Sequence, residues 1–139
     1  MEFKMDPVKR VQQHRYTIEE FVVENKDAIK ESGGIHAFLC TEDGIMDFID
    51  NCVGKFPKGT YWQPTSYSIE LVSRNRSKYD PDFDERVDIE FDSTCCFPIR
   101  YYSGCTETQE KFAKRLQRKF LRLKKVYDKI VTYGEPVEE

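Results

Sequence analysis

The sequence predicts a single α+β domain in which N-terminal helices and a long C-terminal amphipathic helix accompany an antiparallel sheet of three or four strands. Three observations predict it. Apolar residues recur at helical spacing towards both ends of the chain, they alternate with polar residues in the middle, and the helical stretches begin at capping residues. The 139 residues fit one domain better than two. At that length a fold buries roughly 68–70% of the surface its unfolded chain exposes, so stability requires no disulfide or metal.

Asp6-Pro7 puts a capping side chain before a proline suited to a first helical turn, which predicts a short helix from Pro7 to about Arg15. Thr17 and Glu20 have capping-box spacing. Ile18, Phe21, Val22, Ala28 and Ile29 follow as a helical stripe that stops at Gly33-Gly34. Ile35 to Cys40 reads as a short strand or the rim of a buried segment. Thr41 caps a further helix carrying Ile45, Met46, Phe48, Ile49, Cys52 and Val53, with Glu42 and Asp43 at the positive end of its dipole. Gly54, Pro57 and Gly59 end that helix.

The period then changes. Tyr67, Ile69 and Leu71 alternate with Ser68, Glu70 and Val72; Val87, Ile89 and Phe91 alternate with Asp88, Glu90 and Asp92. Phe97, Ile99 and Tyr101 continue the pattern in a third strand, which Pro98 assigns to a sheet edge. A polar connection, Asn75 to Glu85, joins the first two, and a meander with one face in water is the economical arrangement. Thr106 and Gln109 form another capping box. Phe112, Leu116, Phe120, Leu123, Tyr127 and Ile130 then define one apolar face of a helix ending near Thr132. The ends, 1–5 and 134–139, are expected to be flexible.

Charge is uneven. The formal net charge is −3, but residues 36–105 carry 12 acids against 7 bases, while Glu107 to Thr132 carries 9 bases against 3 acids. Those bases are Lys111, Lys114, Arg115, Arg118, Lys119, Arg122, Lys124, Lys125 and Lys129. Such a helix suits a phosphate backbone or an acidic protein surface, and it also suits plain solvation. If it neutralised about six phosphates, the log–log salt slope on duplex DNA would be roughly −5. The strand pattern places Glu70, Asp88, Glu90 and Asp92 on a watery sheet face, with Asp80, Asp82, Asp84 and Glu85 crowding the adjoining loop. In composition this resembles small phage-encoded inhibitors that mimic DNA, although no motif carries the likeness.

Familiar chemistries fit poorly. Asp80, Asp82 and Asp84 have the spacing of the first half of a calcium loop, yet Glu85 replaces its glycine and Phe91 its bidentate glutamate. Cys40, Cys52, Cys95, Cys96 and Cys105, with His14 and His36, offer zinc-ligand types without zinc-ligand spacing; whether these cysteines bind metal stays open. Packed thiols are the simpler reading. No phosphate-cradling glycine loop exists, and nothing pairs a histidine with a nucleophile. The N-terminal residues lack the apolar core of a secretory signal, no run is apolar enough for a membrane span, and the odd cysteine count fits a reducing, intracellular compartment. Tyr61 and Trp62, read as a loop, are an aromatic contact candidate.

The expectation is a non-enzymatic protein-interaction or regulatory module without cofactor, a phage or viral accessory protein being one setting. It would meet a partner protein through the acidic sheet and loop or the basic helix. The alternative is nucleic-acid binding by that helix. The same apolar stripe would also suit burial in a homodimer.

Overall fold

The computed structural model describes residues 16–73, 85–91 and 96–134. The expected helix Pro7–Arg15, most of the 75–85 connection, residues 1–5 and residues 135–139 lie outside them.

Thr17 opens helix α1 (Ile18–Ser32) with a reciprocal capping box: its hydroxyl accepts from the Glu20 amide at 3.0 Å, and its own amide donates to Glu20 Oε1 at 2.9 Å. Gly33 ends the helix at φ 107°, a conformation open to glycine, and its amide donates to the last-turn carbonyls. The following segment corrects the expectation of a strand. Ile35–Leu39 is a short helix, α2, because Ile35, Phe38 and Leu39 are spaced three and four apart and all bury against the core.

Thr41 caps α3 (Glu42–Phe48), which continues as a π-helical turn, Ile49–Val53, closed by Gly54 donating to the Ile49 carbonyl at 2.8 Å. Gly44 lies so close to the preceding helix that a Cβ there would sit 2.1 Å from the Phe38 carbonyl oxygen. Only glycine fits.

Four strands, β1 (Thr60–Pro64), β2 (Ser68–Ser73), β3 (Arg86–Glu90) and β4 (Ile99–Tyr101), form an antiparallel meander in sequence order. Residues Tyr61 and Trp62, expected in a loop, belong to edge strand β1, opposite Val72 and Leu71. Phe97 does not continue the alternation as expected: it precedes β4 at φ 52°. Its ring is fully buried, and its carbonyl accepts from Gln117 Nε2 at 2.9 Å, contacts that hold this unusual backbone in place.

Helix α4 (Glu107–Tyr133) packs on the sheet and against α1. Gln109, from its capping box, is 1% exposed; its amide donates to the carbonyls of Leu71 at 3.1 Å and Glu85 at 3.0 Å. That one side chain ties the helix start to β2 and to the entry of β3. Further along, the Phe120 ring meets Phe48 of α3 at 5.5 Å on one side and Phe91 and Phe97 at 5.4 and 5.3 Å on the other. Ala113 and Val126 join the expected stripe in the core, while Tyr127 is only half-buried.

Because Phe120 bridges the N-terminal helices and the sheet side of the core, Phe120→Ala is expected to cost about 3–5 kcal/mol. The exposed neighbour Leu121→Ala should stay within about 0.5 kcal/mol. Urea unfolding of both variants checks the contrast.

Candidate functional site

The outer face of the sheet is less acidic and less exposed than its alternation implies. The register aligns Gln63, Glu70, Asp88 and Arg100 across the four strands. Gln63 Nε2 donates to Glu70 Oε1 at 2.6 Å, and Glu70 is half-buried. Asp88 corrects the expectation most clearly. It is 7% exposed, lies 3.2 Å from the Arg86 guanidinium, and accepts a 3.2 Å hydrogen bond from the Tyr102 hydroxyl. Arg86 Nη2 in turn donates to that hydroxyl at 2.7 Å.

Burial pushes the Asp88 carboxyl above the usual carboxylate range; Arg86 pulls it down, and the Glu70 charge pushes it up again. Glu90 is half-buried, 3.9 Å from Arg100. Three carboxylates therefore share the described face with two arginines, and Val72 on the same face is fully buried. Glu85 is half-buried at the start of β3. The other acidic candidates, Asp80, Asp82, Asp84 and Asp92, lie outside the described residues.

On α4 the charges are arranged differently. Lys111, Arg115, Arg118, Arg122, Lys125 and Lys129 are all exposed and recur every three or four positions. At 3.6 residues per turn this spacing keeps them within about 80° of arc along about 27 Å of helix. Lys114 flanks the stripe. Lys119 departs from expectation: it is half-buried towards the core, where its charge partly opposes the upward effect of burial on the Cys52 thiol.

Among the described residues, carboxylates meet only part of the stripe. Lys111 pairs with Glu107 at 3.4 Å, and Arg122 pairs with Glu19 of α1. Lys124, half-buried, pairs with Asp128. Lys114, Arg115, Arg118 and Lys125 form no ion pair with a carboxylate among the described residues. The Arg115 guanidinium lies 5.4 Å from the Phe112 ring centroid, a distance at which the ring face attracts it.

Two grooves border the stripe. Near the start of α4, a groove of about 540 Å³ is lined by Lys55, Phe56, Pro57 and Lys58 from the loop after the π turn and by Thr108, Lys111, Phe112 and Arg115. Near its end, a groove of about 440 Å³ has Arg122, Lys125 and Lys129 beside Val126, Ile130 and Tyr133. Lys55 and Lys58 do not stand out in the sequence, where their segment reads as a helix terminator leading into the aromatic segment of Tyr61 and Trp62. Tyr61 and Trp62 do not form a joint contact surface, because successive strand residues point to opposite faces. Trp62 stacks on Phe56 at 6.0 Å and so supports the first groove from below.

Among the described residues no three His, Cys, Asp or Glu side chains are placed to hold a metal ion, and no helix is long and apolar enough to cross a membrane. Burial pushes the Cys52 thiol up to about 12 and also raises Cys40 and Cys105, so these thiols stay protonated near neutral pH. Cys96 is exposed, His36 is half-buried, and Cys95 and His14 lie outside the described residues. No protein-family model matches the chain, and neither a curated protein nor a solved structure is significantly similar to it.

The sheet cluster predicts a pH signature. With its folded-state pKa raised, the Asp88 carboxylate costs stability above that pKa, and the cost fades as pH falls through it. Arg86→Met removes an opposing charge and raises the pKa further. It should destabilise by about 1–3 kcal/mol near neutral pH, allowing for the partial exposure of Arg86. The gap to wild type should narrow as pH falls from neutral into the acidic range and Asp88 takes a proton. Urea melts of both proteins across that range check the sign.

Proposed function

We propose that the protein is a non-enzymatic binding module whose α4 cationic face engages the phosphate backbone of a nucleic acid. The observation that carries this reading is the six-cation stripe, exposed along about 27 Å of one helix face, of which only Lys111 and Arg122 pair with a carboxylate among the described residues. A backbone with one charge per about 1.7 Å offers a partner at each cation along such a line. The overall charge of −3 does not oppose it, since attraction depends on the local field. The acidic-mimic reading has weaker support, because the described sheet carboxylates are half-buried or paired with arginines.

A second reading, docking of an acidic protein segment, is favoured by the groove at the end of α4. There Val126, Ile130 and Tyr133 offer apolar anchor positions beside Lys125 and Lys129.

Fluorescence anisotropy with labelled duplex and single strands separates these readings. The backbone reading expects affinity to fall steeply with salt, with a log–log slope of roughly −5 on duplex DNA. Replacing Arg115, Arg118 and Lys125 by Glu should weaken binding by at least about tenfold and flatten the slope by about 3. Arg122 is left in place because it also anchors α1 through Glu19. No binding at low salt, or binding indifferent to salt, rules the reading out.

A further inference from the structure

We infer that the groove between Lys55–Lys58 and the first turns of α4 is a pocket for a terminal phosphate, a phosphomonoester at the end of a nucleic-acid strand. The inference rests on the backbone-binding reading and gives the stripe a direction and an end.

Charge count is the first argument. Lys55, Lys58, Lys111 and Arg115 converge on the groove, and among the described residues the carboxylate paired with any of them is Glu107, on Lys111. That excess exceeds what a single phosphodiester charge needs. It matches a phosphomonoester, which carries about −1.5 to −2 near pH 7. Thr108 adds a hydroxyl donor to the same lining.

Rigidity is the second. Phe56 packs on Phe112 at 4.6 Å between centroids and is backed by Trp62 at 6.0 Å, so the loop bearing Lys55 and Lys58 is held against the helix. Arg115 is held near the Phe112 ring. Cations fixed in advance lose less freedom when an anion arrives.

Position is the third. The stripe stops at Lys111, and Glu107 and Glu110 occupy the turn beyond it. A strand following the cations meets carboxylates there, so its end belongs in the groove, whose volume of about 540 Å³ suits a nucleotide-sized group. The exposed pair Lys55 and Lys58 comes from a distant part of the sequence and broadens the track only at this point.

The test uses the full chain and one internally labelled single strand of about 12 nucleotides, carrying a 5′-phosphate, a 3′-phosphate or hydroxyls at both ends. One phosphorylated strand should bind about tenfold tighter than the hydroxyl-ended strand, with the gain fading below about pH 6 as the phosphate takes its second proton. Lys55→Gln with Lys58→Gln should abolish that gain, so that the variant binds all three strands alike. Arg118→Glu with Lys125→Glu should weaken all three strands alike. Equal affinity for the three strands overturns the pocket even where the stripe binds.

Adenosine monophosphate, titrated against the amide spectrum, separates the two sources of the phosphate. Shifts confined to Lys55, Lys58, Lys111 and Arg115 assign the pocket to nucleotide phosphates in general. Silence beside a gain for the phosphorylated strand assigns it to strand ends. If no strand binds, the backbone reading fails; the same monophosphate shifts would then sustain the pocket, and their absence would overturn it.

Discussion

Everything in this protein depends on how α4 divides its surface. A helix of 27 residues packs on the sheet and against α1, so a broad arc of it must be apolar. Phe112, Ala113, Leu116, Phe120, Leu123, Val126 and Ile130 fill that arc, all buried. Charged side chains, which cost several kcal/mol each to bury unpaired, are confined to what remains. Nine bases share a helix with three acids, so the remaining arc is cationic by necessity. One constraint therefore shapes both the core and the candidate interface.

The sheet handles its charges in the opposite way. Asp88 is enclosed beside Arg86 and Tyr102, and Glu90 and Glu70 face Arg100 and Gln63. Interactions of this kind fix strand register and side-chain orientation; they leave little field for a distant partner. Among the described residues the stripe on α4 has two such partners, Glu107 and Glu19, so its field extends outwards. Electrostatics here acts as internal fastening on one face and as outward attraction on the other.

Much of this was legible in the sequence, for local reasons. Capping boxes at Thr17 and Thr106 form between residues three apart, so their signal does not depend on tertiary context. The apolar stripe of α4 and the alternation of β2 and β3 follow from periods of 3.6 and 2. What failed depended on contacts between distant residues. Asp88 alternates like a solvent residue, yet cross-strand neighbours and Tyr102 enclose it. Ile35–Leu39 is too short for its period to be read with assurance, and core packing made it a helix. The pairing of β1 with β2 placed Tyr61 and Trp62 in a strand. Lys55 and Lys58 are brought beside the start of α4 by the packing of Phe56 on Phe112, a contact across more than fifty residues of sequence.

The most direct test of the account is lysine footprinting, in which acetylation rates are read by mass spectrometry with and without nucleic acid. With the α4 stripe on the phosphate backbone, Lys111, Lys114, Lys125 and Lys129 react more slowly in the complex, while Lys30, exposed on α1, is unchanged. Protection spread evenly over all lysines, or found at Lys30 and absent from α4, would contradict it.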